Sequence, residues 1–303
     1  MPSLRQLRDR VERRLDPQAH RPLLPPRPNM AQVARRLLPP DLFARAMQTT
    51  IRDDGHGYDP FGMHQGGVAM GLVVTRFLYE RYFRVSSYGI EHIPAEGPVI
   101  LAANHSGTLP LDAMMIWTDV VRRAAGGRVP RVVMDHFVPS LPWVSILFTG
   151  GGGFGGSRGN FHALLDAGEL IIVFPEGTPG IGKPFSERYH LQPFREGFAE
   201  LAIRHQVTVV PVGVVGAEEQ WPQLARIEGI HAFGAPYLPV PATPLPLPVH
   251  YHLWYGPPIT VAGRWRPQDA FDAEAVGTLA QETQEAVAAL LARGLAERKG
   301  VFR

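Results

Sequence analysis

Pro98-Val-Ile-Leu-Ala-Ala-Asn104-His105 is a short unbroken apolar run that ends on an amide and an imidazole. It is too short for a helix and lacks polar alternation, so it reads as a strand buried on both faces. A helical pattern follows from Asp112 to Ala125, closed by Gly126-Gly127. Arg131-Val-Val-Met134 and Leu170-Ile-Ile-Val-Phe174 read as strands, Phe194 to His205 as a helix and Val207 to Val215 as a further strand. This alternation predicts an α/β fold, a central mostly parallel or mixed sheet flanked by helices. In such sheets reactive groups collect beyond the carboxyl ends of the strands. His105, Pro175-Glu176-Gly177 and Gly216-Ala-Glu-Glu219 all fall there. Val207–Val215 contains Pro211, which a sheet tolerates at an edge or a bulge, so this strand is expected to border an open groove.

A chain of 303 residues, 45% hydrophobic and 19% charged, has room for one sizeable core with appendages. The patterns divide it into a basic N-terminal arm with an amphipathic helix (1–84), an α/β domain (85–265) and a C-terminal helix packed on that domain (266–303). In the last of these, Val276, Leu279, Thr283, Val287, Leu290 and Leu291 recur at helical spacing. Residues 234–258 carry Pro236, Pro239, Pro241, Pro244, Pro246 and Pro248 and read as a rigid loop, with His250 to Tyr255 a candidate strand. Cysteine is absent, which excludes disulfides and thiolate metal sites, and no metal site is expected. The start has no secretory pattern, and no run reaches the ~18 apolar residues of a membrane span. A net charge of +2 is too small to imply a nucleic-acid partner.

The charge is unevenly spread. Between Arg5 and Arg45 lie ten arginines against Asp9, Glu12, Asp16 and Asp41. Such an excess fits either an anionic lipid surface or a solvated arm. From Val68 to Arg84, Met70, Val73, Val74, Phe77, Leu78 and Tyr82 form an apolar face, with Arg76, Glu80 and Arg84 opposite. That pattern suits a helix lying in a membrane interface and equally one packed on its own core. The expectation is a cytoplasmic protein, peripheral or monotopic at the cytoplasmic membrane face.

Four short segments carry the chemistry. In Leu101-Ala-Ala-Asn-His-Ser-Gly-Thr-Leu-Pro-Leu-Asp112, a histidine leaves a buried strand and a carboxylate opens the next helix. That pairing makes a general base and its orienting partner, although Asp112 also suits the helix dipole alone. Val173-Phe-Pro-Glu-Gly-Thr-Pro-Gly180 turns sharply at a strand end and puts one carboxylate there. Gly150 to Asn160 is glycine-rich around Phe154 and Arg158; Asn160 could cap a helix Phe161–Ala167 and leave Arg158 beside exposed amides, a place for a phosphate. Val207-Thr-Val-Val-Pro-Val-Gly213 is the proline-containing strand.

These segments, taken in order over roughly residues 85–260, resemble the glycerolipid acyltransferase family, the lysophospholipid or 1-acylglycerol-3-phosphate acyltransferases. Asn104-His105 with Asp112 resembles its catalytic block, and Phe154 with Arg158 its second. Phe174-Pro-Glu-Gly177 is similar to the third block and Val210-Pro-Val212 to the fourth. The resemblance implies His105 as base, Asp112 as its orienter, and Arg158, Glu176 and Gly177 at the acceptor and its phosphate. Asn104, Ser106, Gly107, Pro175, Thr178 and Pro211 would support them. Members of the family need no metal and are typically monotopic. Two departures stand out: six residues separate His105 from Asp112 where the family has four, and Ser157 precedes Arg158 where an acid is usual. A helix starting at His105 would carry Asp112 about 10 Å along its axis, so Gly107 to Pro110 must fold back for the pair to meet.

The resulting expectation is an O-acyltransferase. It would move a fatty acyl group from acyl-CoA or acyl carrier protein, its only co-substrate and not a bound cofactor, to a lysophospholipid or glycerolipid hydroxyl. No covalent intermediate is expected, since there is no cysteine. The oxyanion is expected near the amides around Gly177. Lys183, Arg188 and Arg195 follow the third segment and could meet phosphates or be solvated; Trp143 to Phe148 could line an acyl tunnel or belong to the core. The alternatives are a lipid or thioester hydrolase and a catalytically silent membrane-binding module.

Overall fold

The computed structural model describes residues 29–53, 55–106, 109–134, 144–181, 183–232 and 235–303. In chain order it forms helices α1 (Met30–Leu37), α2 (Pro40–Met47) and α3 (Gln65–Phe77, continued by a π-turn Leu78–Tyr82), then β1 (Ser86–Tyr88), β2 (Val99–Ala103) and α4 (Leu111–Arg123). Next come β3 (Arg131–Met134), α5 (Val144–Gly150), β4 (Gly153–Gly155), α6 (Arg158–Asp166), β5 (Leu170–Val173) and the one-turn α7 (Thr178–Ile181). The chain continues through α8 (Gly197–His205), β6 (Thr208–Val215), β7 (Gln223–Ala232), β8 (Ala235–Pro241), β9 (His252–Tyr255) and α9 (Ala273–Glu297). The main sheet has seven strands in the order β1-β9-β6-β2-β5-β3-β4, parallel except for the β6–β9 pair. This is the α/β sheet that the alternation predicts.

The apolar run of β2 is explained by its position. Val99, Leu101 and Ala103 face a core shared with Leu72, Met115 and Trp117 from α3 and α4. Ile100 and Ala102 face the opposite core, with Leu164, Phe198 and Leu279 from α6, α8 and α9. A strand alternates its side chains, so a strand covered on both faces must be apolar at every position.

Several expectations need correction. β6 is an interior strand between β9 and β2, not the border of a groove. Pro211 is tolerated there because the β9 ladder begins only at Val212, opposite Tyr255, and resumes as a bridge from Val209 to Ile259. Val209 N donates to Ile259 O, so by alternation the missing Pro211 N–H points to the same side, where Gly256 and its two prolines break the ladder. The proline-rich segment is no simple loop, since Ala235–Pro241 pairs antiparallel with Gln223–Ala232. The helix expected from Phe194 starts at Gly197, and α6 starts at Arg158 with Ser157 as its cap: Asn160 N donates to Ser157 Oγ. Residues 29–84 are not a detached arm in their described part, because Ala34, Leu38, Ala46 and Leu72 join the sheet's core. In α3 the buried face is Val68, Ala69, Leu72 and Thr75, which leaves the expected apolar face outward at Val74 and Phe77. In α9, Val276, Leu279, Thr283, Val287 and Leu291 are buried as the spacing implies. No described helix is long and apolar enough to cross a membrane.

His252, in β9, is buried and stacks on His250 at 4.3 Å; its Nε2 has no partner among the described residues. Burial, helped by His250 and Arg298, lowers its pKa to about 4. The folded state therefore holds it neutral, while the unfolded chain takes up a proton below about pH 6.5. This contribution to stability is present above that pH and is lost as pH falls towards 4, by at most ~1.4 kcal/mol per pH unit. Urea denaturation of His252→Phe is expected to show a smaller drop in stability between pH 7 and pH 5 than the parent chain. An equal drop in both would place the acid sensitivity elsewhere.

Candidate active site

The end of β2 is completed by a side chain. Pairing with β6 stops at Ala103 and Val212, and Asn104, fully buried, continues it with its amide. Val214 N donates to Asn104 Oδ1 at 2.7 Å, and Asn104 Nδ2 donates to Val214 O at 3.1 Å. An asparagine carries both a donor and an acceptor, so it can satisfy both backbone groups at once. His105 therefore leaves the sheet from an anchored residue.

His105 Nδ1 lies 2.7 Å from Asp112 Oδ2. An ionised carboxylate only accepts, so Nδ1 carries the hydrogen and Nε2 keeps the free lone pair. The same Asp112 oxygen accepts from Ser106 N at 2.9 Å, and Asp112 Oδ1 accepts from Ala113 N at 2.7 Å. Asp112 is fully buried in the first turn of α4, where the helix dipole favours a negative charge. Pro110 is the cap and Asp112 the second helical residue, so the six-residue spacing closes after all. Gly107 and Thr108, on which the expected turn partly rests, lie outside the described residues. The His105 ring stacks on Phe174, with centroids 4.1 Å apart and planes at 21°.

Glu176 sits behind His105. Its Oε1 accepts from His105 N at 3.0 Å, and its Oε2 accepts from Gln192 N at 2.8 Å and Lys183 Nζ at 3.1 Å. It is 1% exposed, so both oxygens are used inside the protein and not on an open acceptor surface. Lys183 also donates to Glu218 Oε1 at 3.2 Å, and Tyr189 N donates to Glu218 Oε2 at 2.8 Å. Two carboxylates thus share one buried ammonium, and burial pushes the Glu218 carboxyl up against the opposing pull of Lys183. Charges this deep persist only when paired. Gly177 takes a left-handed φ of 60° and its N–H donates to Phe174 O at 3.0 Å, so this amide is committed to the turn and not free for an oxyanion. Thr178 begins α7, Pro175 O accepts from Arg195 N at 2.9 Å, and Pro211 lies in β6 opposite Ala102.

Arg158 stands apart from this group. It is the first residue of α6, after β4 at the far edge of the sheet, three strands from β2, or roughly 14 Å across at ~4.8 Å per strand. Its Nη2 lies 2.6 and 2.7 Å from the two oxygens of Glu200 on α8. Of the cations after the third segment, Lys183 is neither solvated nor open to a phosphate but buried against Glu176; Arg188 lies over Phe185 and 3.8 Å from Glu219. Phe174, Lys183 and Gln192 carried no signal of their roles, since each acts through a contact distant in sequence. Glu218 was visible only as part of the Gly216-Ala-Glu-Glu219 strand end.

On the other side of Asp112, α3, α4 and α5 enclose a narrow cleft of about 70 Å³, lined by Gly71, Val74, Met114, Trp117, Leu147 and Phe148. Pro110 and Ala113, which flank the Asp112 turn, reach the same cleft. Its walls are almost wholly apolar. Trp143 lies outside the described residues.

The sequence model of the family described as Acyltransferase matches residues 84–215, which hold His105, Asp112 and the third and fourth segments. An uncharacterized protein of Mycobacterium leprae is 36% identical over 259 residues, 82% of this chain and 69% of that one. A human protein named DGAT1/2-independent enzyme synthesizing storage lipids is 30% identical over 209 residues, 67% of this chain and 60% of it. Among solved structures, the 1-acyl-sn-glycerophosphate (LPA) acyltransferase PlsC of Thermotoga maritima shares the fold, with a TM-score of 0.55 at 18% identity over 86% of this chain and 88% of that one. With the buried dyad and the ordered segments, these likenesses place the chain in the glycerolipid acyltransferase family.

Proposed function

We propose that the chain moves a fatty acyl group from a thioester of coenzyme A or acyl carrier protein to the hydroxyl of a lysophospholipid or glycerolipid, with His105 as general base. The observation that carries this reading is the 2.7 Å contact from Nδ1 to Asp112, which turns the basic Nε2 away from its partner. Nε2 takes the hydroxyl proton as the oxygen attacks the thioester carbonyl. The C–S bond then breaks, and the imidazolium returns the proton to the leaving thiolate. The products are an ester and a free thiol. Asp112 holds the tautomer and stabilises the imidazolium. Ser106 is no acyl carrier, since its hydroxyl faces Asp112 Oδ2 at 3.4 Å. Glu176, Lys183 and Glu218 act as positioning residues through the His105 N–H. The Thermotoga relative is an acyltransferase of 1-acyl-sn-glycerophosphate and the human relative synthesizes storage lipids, so both a phosphorylated and a neutral acceptor are compatible with the likenesses. Arg158, joined to Glu200, would serve a phosphate only by exchanging that partner.

The apolar cleft beside Asp112 fits the acyl tail, and its mouth fits a membrane surface. Helices α1 and α5, each packed on α3, expose with it Leu37, Val74, Phe77 and Ile146. Apolar side chains on adjoining helices suit a protein resting in the lipid interface.

His105→Ala is expected to lower acyl transfer by roughly 10²–10⁴-fold, the usual range for a general base, with the circular dichroism of the parent retained. Unchanged transfer would overturn the assignment, and free fatty acid as the sole product of the parent chain would favour the hydrolase alternative. A Cβ at Gly71 would stand 2.7 Å from Trp117 Cη2, so Gly71→Leu fills the cleft. Its product profile is expected to shift towards shorter acyl chains; an unchanged chain-length profile would exclude the cleft. Val74→Ser with Phe77→Ser is expected to weaken sedimentation with liposomes, and full retention would move the membrane contact elsewhere.

A further inference from the structure

Among the described residues, several cations that follow the third segment are matched by carboxylates. Lys183 lies between Glu176 and Glu218, Arg298 is paired with Glu219, and Arg188 approaches Glu219. Arg195 is exposed and has no ion-pair or side-chain hydrogen-bond partner among the described residues. It is nevertheless held in place: its N–H donates to Pro175 O, in the turn that carries Glu176. Its guanidinium lies flat against Gly177, where a Cβ would fall 2.8 Å from Cζ and 3.1 Å from Nη1. Gly177 therefore serves twice, by accepting a left-handed φ and by leaving the seat on which the guanidinium rests. Glu196, the adjacent acid, turns its carboxylate to α9 instead, with Oε1 3.7 Å from the Cβ position of Gly277. Arg195 also precedes α8 directly before its cap residue Glu196.

A guanidinium without a carboxylate partner among the described residues, docked on the turn that carries Glu176, is matched to a planar or tetrahedral oxyanion. We propose that Arg195 binds a phosphate group of a substrate and so fixes that substrate's position relative to His105. The phosphate belongs either to the acceptor's head group or to the donor's phosphopantetheine or nucleotide portion. This inference rests on the acyl-transfer reading above and adds a residue that lies outside the four motif segments.

The test uses the full chain and four substrate combinations. The donors are acyl-CoA and the phosphate-free acyl thioester of N-acetylcysteamine; the acceptors are lysophosphatidate and monoacylglycerol. Arg195→Ala is expected to raise KM for the phosphate-bearing substrate about tenfold or more, with kcat nearly unchanged and its phosphate-free counterpart unaffected. Arg195→Lys should recover part of the loss, since it restores the charge without the fork. A rise confined to lysophosphatidate identifies the head group, and one confined to acyl-CoA identifies the donor. Unchanged KM values for every substrate, or equal rises for phosphate-bearing and phosphate-free ones, would overturn the inference. Absence of transfer by the parent chain in all four combinations would instead defeat the acyl-transfer reading itself.

Discussion

The buried carboxylate of Glu176 ties together three pieces of chain at the carboxyl end of the sheet. It accepts from the backbone of His105 at the end of β2, from the backbone of Gln192 ahead of α8, and from the Lys183 ammonium. A buried carboxylate with unfilled lone pairs is costly, and so is an ammonium without an anion. Each partner is therefore held by the cost of losing the others. The position of the imidazole follows from this anchor on one side and from Asp112 on the other. Any change that empties the Glu176 site leaves both a charge and a backbone N–H unsatisfied, with consequences for stability and for the aim of His105 together.

The two sides of His105 differ in chemistry. Towards α3, α4 and α5 lies an apolar cleft lined by no charged side chain, and towards the segment between β5 and α8 lies a cluster of carboxylates, Lys183 and arginines. An amphipathic substrate would be sorted by that contrast alone, with its tail drawn to one side and its polar end to the other. Asp112 stands at the boundary, fully buried, where the low dielectric strengthens its hold on Nδ1. Asn104 contributes from a third direction by extending the ladder to β6 with its own amide.

The sheet was legible in the sequence wherever burial on both faces left an unbroken apolar run, as in β2, β5 and β6. It was illegible in β1 and β4, which at three residues each are too short to show any period. Pro211 misled because proline signals a broken ladder without saying which neighbour is broken; only the geometry at Gly256 puts the break inside the sheet. The proline-rich stretch hid a strand because alternate prolines in a two-stranded ribbon can direct their missing N–H groups away from the partner. At the site, His105 and Asp112 could be read from strand-end and helix-start positions. Glu176 was noticed as a carboxylate at a turn, but its direction was not, because whether a side chain faces solvent or the backbone of a distant strand is a tertiary fact. Lys183 and Gln192 depend on the same fact.

The central claim is that Asp112 holds a hydrogen on Nδ1 and leaves Nε2 of His105 free to take a proton. Nitrogen NMR on protein with isotopically labelled histidine reads the tautomer directly, with His105→Gln assigning the resonance. The geometry predicts a protonated Nδ1 and a bare Nε2 at neutral pH, with that preference lost in Asp112→Asn. A His105 ring protonated at Nε2 and bare at Nδ1 would contradict the account, because the nitrogen facing the substrate would then have no lone pair to offer.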